Sequence, residues 1–161
     1  MIILIMGVTG AGKTTIGTLL AQHLGWEFAD ADSLHSAANV EKMRLDIALT
    51  DADRIPWLEA IHQALAEWTR AGKNGVLACS ALKESYRQIL CRDLEVKLVY
   101  LRGNFQLIAG RVAQRHGHYA HAGLVASQFE ALEEPKDALI VEVNHTPPEI
   151  VAGILQKLHL P

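Results

Sequence analysis

The sequence predicts an α/β fold, a three-layer sandwich in which helices cover both faces of a five-stranded parallel sheet. Five short apolar runs recur along the 161 residues, and segments with helical spacing of apolar positions separate them. Parallel strands that are buried on both faces read as such continuous runs. A glycine-rich turn links the first run to the first helical segment. No repeat or linker divides the chain, so we expect one domain over residues 1–161.

The predicted strands are the apolar runs themselves, at Ile2–Met6, 26–29, 75–79, 96–101 and 139–143. The predicted helices are Lys13–Leu24, 53–68, 83–91, 105–114 and 148–158, and a further helix follows a Gly- and His-rich loop at 115–123. A polar loop is expected between the second strand and the second helix.

Local signals support several helix boundaries. Gly25 is a typical stop for the first helix, Asp53 or Thr50 can cap the second, and Pro56 suits a first turn. Asn104 is a plausible N-cap for the helix at 105–114. In such a fold the chemistry lies in loops at the carboxyl ends of the strands.

Composition excludes several classes of protein. Half of the residues are apolar and a fifth are charged, which is typical of a globular protein rather than a disordered one. The formal charge of -3 at pH 7 argues against nucleic-acid binding. The run Ile2–Met6 is too short to span a membrane. Cys79 and Cys91 have neither metal nor redox-motif spacing, so we expect a reducing compartment, the cytoplasm.

The glycine-rich turn carries a phosphate-loop motif between a predicted strand and a predicted helix. Its pattern, G-x-x-x-x-G-K-[ST], places backbone N–H groups around an anion at a helix N-terminus. Lys13 then reaches the β- and γ-phosphates of ATP, and the Thr14 hydroxyl binds Mg²⁺. The sequence therefore predicts a P-loop NTPase sandwich. The expected nucleotide-binding residues here are Gly7, Val8, Thr9, Gly10, Ala11, Gly12, Lys13, Thr14 and Thr15.

The remaining motifs favour a small kinase. Neither an Asp-x-x-Gly switch nor an Asn-Lys-x-Asp base-reading motif occurs, so a regulatory GTPase is disfavoured. Asp30 and Asp32 stand at the end of the second apolar run. Their side chains lie on the same side of the sheet if the strand continues that far. The third strand ends without an acid, so Asp30 is expected to support the metal beside Thr14. Asp32 is expected to orient an acceptor hydroxyl and accept its proton.

Beyond the phosphate loop, several sequence motifs resemble those of one narrower family of proteins. The resemblance covers nearly the whole length of the chain. The chain resembles the bacterial-type gluconokinases, within the shikimate-kinase-like and adenylate-kinase-like branch of P-loop kinases. The strings are Asp30-x-Asp32-x-x-His35, Asn39-x-x-Lys42-Met43, Leu49-Thr50-Asp51-x-Asp53-Arg54-x-Pro56-Trp57-Leu58, Cys79-Ser80-Ala81-Leu82-Lys83-x-x-Tyr86-Arg87, Arg115-x-Gly117-His118-Tyr119 and Ser127-Gln128-Phe129-Glu130-x-Leu132-Glu133.

The resemblance implies ATP- and Mg²⁺-dependent phosphorylation of D-gluconate at its 6-hydroxyl. It implies a lid at about 115–123, which carries Arg115. The implied catalytic residues, which act on the transferring phosphate, are Lys13, Asp32 and Arg115. The resemblance also makes a homodimer a reasonable expectation. The implied substrate-binding residues are Asp32, His35, Lys42, Met43, Arg54, Lys83, Arg87, His118 and Gln128. The expected further nucleotide contacts are Arg111, Asn144, Thr146 and Pro147.

Two alternatives stay open. Residues 44–48 lack the Ser-Gly-x-Pro turn usual in similar gluconokinases, so the acceptor could instead be shikimate, a related aldonate or a nucleoside monophosphate. A regulatory protein that binds nucleotide without transferring phosphate is the second alternative.

Overall fold

The computed structural model describes residues 1–116 and 122–161, and it confirms the predicted α/β architecture. All strand pairs are parallel, in the order β2-β3-β1-β4-β5. The strands are β1 (Ile2–Met6), β2 (Glu27–Asp30), β3 (Gly75–Ala78), β4 (Val96–Arg102) and β5 (Leu139–Glu142). The helices are α1 (Lys13–Leu24), α2 (Ala37–Arg44), α3 (Asp51–Arg70), α4 (Glu84–Leu90), α5 (Phe105–His116), α6 (Ala122–Ala131) and α7 (Pro147–Lys157).

The core lies in two layers, one on each face of the sheet. Successive side chains of a strand point to opposite faces, and β1 shows this directly. Ile3 and Ile5 pack with residues of α1, α5 and α7, whereas Leu4 and Met6 pack with residues of α3 and α4. All five residues of β1 are buried, which explains why the strand reads as an unbroken apolar run.

The strand order directs the phosphate loop to the centre of the sheet. The chain passes from β1 to β2 and β3 on one side of β1, and then crosses from β3 to β4 and β5 on the other side. Ligands of such sheets bind in the crevice at this reversal, beyond the carboxyl ends of the strands. The loop that follows β1 occupies that crevice.

The segment after β2 differs from the predicted polar loop. It contains a 3₁₀ turn, Ala31–Leu34, and the helix α2. The Ser36 hydroxyl caps α2 by accepting a hydrogen bond from the Asn39 N–H at 3.1 Å. This Ser cap, which was not used in the prediction, explains how a short segment without a clear apolar stripe starts a helix.

The start of α3 confirms one of the two predicted caps and corrects the helix boundary. Thr50 is the N-cap, and Thr50 and Asp53 form a capping box in which each side chain accepts a hydrogen bond from the other residue's N–H. The helix therefore begins at Asp51, and Pro56 lies in its second turn rather than its first. The missing Pro56 N–H removes one hydrogen bond, and the capping box stabilises the turn before it.

Asp53 carries a second interaction at this helix start, because Lys42 of α2 donates to its carboxylate at 2.9 and 3.0 Å. The Thr50 N–H and then Lys42 lower the pKa of Asp53 to about 2.

The asparagine N-cap of α5 is confirmed as well, since the Asn104 side chain accepts from the Leu107 N–H at 2.8 Å. Within the described ranges, no helix is long and apolar enough to cross a membrane.

We predict that Asp53→Asn lowers the free energy of unfolding at pH 7, with a difference from the native chain that shrinks as the pH falls. The pKa of Asp53 is lowered in the folded state, so its stabilisation is complete above about pH 4 and is lost toward pH 2. Urea unfolding from pH 7 to pH 3 measures this. Glu67→Gln, at an exposed acid of the same helix, is the control and should change little. A difference that stays constant with pH contradicts the assignment.

Candidate active site

The phosphate loop turns from β1 into α1 through glycines whose backbone conformations disfavour other residues. Gly10 and Gly12 have φ of 79° and 95°, in the left-handed region that L side chains disfavour. A Cβ on Gly10 would meet Val112 Cγ2 of α5 at 2.5 Å. Gly12 is the N-cap of α1 and supplies no side-chain cap. The helix N-terminus therefore keeps N–H groups that an anion can satisfy.

The Lys13 ammonium lies inside this loop and donates a hydrogen bond to the Val8 carbonyl at 3.0 Å. Burial lowers the pKa of Lys13, while the nearby groups of Cys79, Asp32 and Asp30 raise it. A desolvated cation beside free N–H groups favours a polyanionic ligand. This is the position that the motif predicts for a lysine that binds the β- and γ-phosphates.

Thr14 and Asp30 meet at the carboxyl end of β2. The Thr14 hydroxyl donates to Asp30 Oδ2 at 2.7 Å. A hydroxyl and a carboxylate are hard oxygen ligands suited to Mg²⁺. No group of three His, Cys, Asp or Glu side chains that could hold a metal occurs in the described parts of the chain. The pair therefore fits a cation that takes its other ligands from phosphate and water, as Mg²⁺ usually does.

Asp32 enters the same cleft by a route that the sequence analysis did not predict. The strand β2 ends at Asp30, and Asp32 lies in the 3₁₀ turn, so strand alternation is the wrong reason for its placement. The turn is fixed because the Asp32 N–H donates to Asp30 Oδ1 at 3.0 Å. Both carboxylates still line one cleft of about 220 Å³ together with Lys13, Thr14 and Arg115.

A second cavity, of about 370 Å³, adjoins the first on the α1, α5 and α7 side. It shares Gly10, Gly12, Thr15 and Arg115 with the cleft and is also lined by Arg111 and Pro147. Arg111 and Arg115 thus share one helix face, as predicted. Arg111 donates to the Val143 carbonyl at 2.6 Å. The volume of this second cavity lies in the range of small-molecule sites.

Two expected nucleotide contacts do not line the second cavity with their side chains. The Thr146 hydroxyl caps α7 by accepting from the Glu149 N–H at 3.4 Å. Asn144 lines a separate surface pocket beside Arg102 and Glu142. Their side chains are therefore not among those that line the second cavity.

His35 is held beside the Asp32 turn by an aromatic stack. Its ring lies 4.1 Å from the Trp57 ring, with 11° between the planes. The Trp57 indole N–H donates to the Ala31 carbonyl at 2.7 Å and fixes the stack to the turn. Burial lowers the pKa of His35, Arg54 lowers it further, and Asp32 opposes them. The imidazole is therefore favoured in its neutral form, which can both donate and accept hydrogen bonds.

Arg54 and Lys83 converge on Tyr86. The Arg54 guanidinium carbon and Lys83 Nζ lie 5.9 and 5.5 Å from the centroid of the Tyr86 ring. Lys83 also pairs with Asp51 at 3.2 Å, and the Tyr86 hydroxyl donates to the same carboxylate. Arg54 donates to the Leu49 carbonyl at 2.6 Å. Two cations thus lie against one ring, and the single Asp51 carboxylate leaves positive charge for an anionic ligand.

Among the predicted substrate contacts in the described residues, only Asp32 and Gln128 line the cleft itself. His35, Arg54 and Lys83 lie outside its lining, and so do three others. Lys42 is engaged with Asp53, and Met43 is exposed on α2. Arg87 is 5% exposed, and its guanidinium is bonded to backbone carbonyls and to Glu84. The structure therefore corrects Arg87 from a substrate ligand to a buried residue whose donors are already used. His118 and most of the predicted lid lie outside the described residues.

Gln128 reaches the phosphate loop from α6, as its Oε1 accepts from the Thr9 N–H at 2.6 Å. Four further residues contribute to the site, although they occur in the resemblance motifs without a predicted role: Ser80 lines the cleft, and Asp51, Trp57 and Tyr86 hold predicted residues. The position of Ser80 just after the third strand was a usable signal. The roles of the other three depend on side-chain packing between elements.

We predict that Gly10→Ala destabilises the protein by about 2 kcal/mol and weakens ATP binding, because the new Cβ combines left-handed strain with the Val112 contact. Thermal unfolding and calorimetric titration with ATP measure the two effects. Gly110→Ala in α5 is the control, since its Cβ meets nothing within 4 Å, and it should be neutral or stabilising. Equal effects of the two variants contradict the close approach at Gly10.

Comparisons with known proteins show the family to which the chain belongs. The family model for shikimate kinase matches residues 9–159. A probable gluconokinase from Mus musculus is 43% identical over 178 residues, covering 98% of this chain and 97% of the relative. A gluconokinase from Gluconobacter oxydans is 48% identical over 136 residues, covering 84% and 76%. The crystal structure of a gluconokinase from Sinorhizobium meliloti has a TM-score of 0.84 at 36% identity, covering 98% and 94%. The chain therefore belongs to the gluconokinase family of small P-loop kinases.

Proposed function

We propose that this protein transfers the γ-phosphoryl group of ATP to the 6-hydroxyl of D-gluconate, giving 6-phosphogluconate and ADP. The observation that carries the proposal is that the phosphate-loop cleft also holds Asp32, which follows β2 and is flanked by His35 of the acceptor side. A donor site and an acceptor base thus lie in one cleft. The membership in the gluconokinase family supports the choice of acceptor.

Donor binding is assigned to the phosphate loop and the cations around it. Backbone N–H groups at the N-terminus of α1 and the Lys13 ammonium receive the β- and γ-phosphates. Arg115 faces both cavities, so it is placed to contact the transferring group from the side of α5. These charges are fixed before the reaction and neutralise the charge that moves to the β-phosphate oxygen.

Mg²⁺ fits the Thr14 and Asp30 pair, with Thr14 as the direct ligand and Asp30 as its hydrogen-bonding support. When bound, the cation neutralises phosphate charge and orients the γ-phosphoryl group. The chain contributes the two oxygens and holds them 2.7 Å apart.

Asp32 is assigned the acceptor hydroxyl. Its carboxylate takes the proton as the hydroxyl oxygen forms a bond to the γ-phosphorus, and the bond from that phosphorus to the bridging oxygen of ADP breaks. The Asp32 N–H is anchored on Asp30, so the acid is held in a defined turn beside the metal pair. Positioning of this kind supplies most of the rate in phosphoryl transfer.

The carboxylate of gluconate is assigned to the side of the site that carries Arg54 and Lys83. Both cations lie against the Tyr86 ring, and Asp51 neutralises only part of their charge. The neutral His35 is suited to the sugar hydroxyls, because an imidazole both donates and accepts hydrogen bonds.

The free thiols of Cys79 and Cys91 fit the reducing cytoplasm as the location. The homodimer stays an expectation from the resemblance.

An acceptor panel tests the proposal. We expect ADP release from Mg²⁺·ATP to rise with D-gluconate and not with shikimate or nucleoside monophosphates. Stimulation by another acceptor keeps the donor site and moves the substrate. If no acceptor stimulates release although ATP binds, the chain is a nucleotide-binding regulator instead.

We predict that Asp32→Asn lowers kcat for gluconate by about 10²- to 10⁴-fold, because an amide cannot accept the hydroxyl proton. The KM for ATP and the melting temperature should change little, since the backbone contact of Asp32 is kept. Steady-state kinetics measure this. Asp137→Asn, at an exposed acid outside the cleft, is the matched control. Unchanged turnover in Asp32→Asn removes this residue from the mechanism.

Asp30→Asn tests the metal assignment separately. We expect the Mg²⁺ concentration for half-maximal rate to rise by about tenfold or more, because the Thr14 hydroxyl loses its carboxylate support. Titration of activity with Mg²⁺ at saturating ATP measures the shift. An unchanged Mg²⁺ dependence places the metal support elsewhere.

A further inference from the structure

Arg87 is a buried cation that the proposed mechanism leaves without a role. It lies on α4, is 5% exposed, and donates five hydrogen bonds. Two go to the Glu84 carboxylate and three to backbone carbonyls. Buried charges in proteins are normally paired and hydrogen-bonded, and removal of one partner leaves a costly unpaired group.

Two of those carbonyls belong to the loop between β3 and α4. Arg87 Nη1 donates to the Ala81 carbonyl at 2.8 Å and to the Leu82 carbonyl at 3.1 Å. Ala81 has φ of 47°, a left-handed conformation that costs an alanine free energy. The guanidinium therefore holds this loop in a conformation that the residue itself disfavours.

The strained loop joins the two halves of the site. Ser80, on one side of Ala81, lines the phosphate cleft, and its carbonyl accepts from the Gly7 N–H at 3.4 Å. Lys83, on the other side, lies against Tyr86 and pairs with Asp51. A shift of the loop would therefore move the acceptor-side lysine relative to the phosphates.

The third carbonyl ties α6 to the same loop. Arg87 Nη2 donates to the Glu133 carbonyl at 2.8 Å, and the Glu133 N–H donates to the Leu82 carbonyl at 2.8 Å. The Glu133 carboxylate accepts from the Glu84 N–H at 3.1 Å. Since Gln128, in the last turn of α6, reaches Thr9, the C-terminal end of this helix is fixed to the phosphate loop, and the residues just beyond that same end are fixed to the loop that carries Lys83.

We propose that Arg87 is a positioning residue, which holds the residue 80–83 loop in its strained form and so sets the distance between the acceptor-side Lys83 and the phosphate loop. The inference rests on the proposed function for its kinetic consequences. Its structural consequence, restraint of the loop and of its attachment to α6, does not depend on the substrate.

The test compares Arg87→Met and Arg87→Lys with the matched control Arg92→Met, an exposed arginine that pairs with Glu59 on the surface. We expect Arg87→Met to lower kcat/KM for gluconate by about 10²-fold, since small misplacements near the reacting groups have effects of that size. The KM for ATP should change much less. Arg87→Lys should fall between, and Arg92→Met should match the native chain.

A second substitution separates positioning from general stability. Ala81→Gly removes the conformational cost at φ 47° without restoring a hydrogen bond. Added to Arg87→Met or Arg87→Lys, it should recover gluconate kcat/KM by at least about threefold at a temperature well below the melting points of all variants, where the accompanying gain in stability does not change the folded fraction. If Arg87 had a purely structural role, Ala81→Gly would bring no kinetic recovery, or the Arg87 variants would lose kinetic efficiency equally toward gluconate and ATP. Either result overturns the proposal.

Amide hydrogen exchange without ligands gives a readout that needs no activity. We expect faster exchange in a peptide over residues 79–86 and in one over 128–134 in the Arg87 variants, and native rates in Arg92→Met. If Arg87→Met does not fold, Arg87→Lys and its Ala81→Gly double variant provide the same comparison. Native exchange rates in folded Arg87 variants contradict the role. If the native protein shows no gluconate-dependent turnover, the proposed function is contradicted instead. The exchange rates still test whether Arg87 restrains the loop.

Discussion

The close approach of the phosphate loop to α5 is the constraint from which the site is built. Gly10 leaves space for Val112 and adopts a left-handed conformation, so the loop folds back over the end of β1. Lys13 is thereby buried against the Val8 carbonyl, near the acids that follow β2. The parallel order of the strands then brings the carboxyl ends of β1, β2 and β3 to one edge, where donor and acceptor groups meet.

The acceptor side is assembled by contacts between elements rather than by one motif. Trp57 of α3 holds His35 and the Asp32 turn, and Asp51 of the same helix holds Lys83 and Tyr86. The start of α3 therefore affects both groups, and the capping box at Thr50 fixes where that helix begins. In this account the donor site follows from local backbone geometry, whereas the acceptor site follows from the packing of α3 and α4.

This division explains what could be predicted from the sequence. The phosphate loop, the five strands and the Asn104 cap depend on local patterns, and the structure confirms them. Arg87 could not be placed in this way, because one of its carbonyl partners is contributed by Glu133, 46 positions away. Helix α2 was missed because its Ser36 cap precedes a short stretch that lacks a clear apolar period. The prediction for His118 stays a prediction.

Direct transfer from ATP to gluconate in a single cleft is most directly tested by ³¹P NMR of the native protein with Mg²⁺·ATP and D-gluconate. The account predicts that the γ-phosphate signal is replaced by one phosphomonoester signal, split by the two protons on carbon 6, as ADP accumulates in equal amount. Accumulation of inorganic phosphate with ADP, and no phosphomonoester, would contradict it. That result would mean that the cleft hydrolyses ATP without holding the acceptor against Asp32.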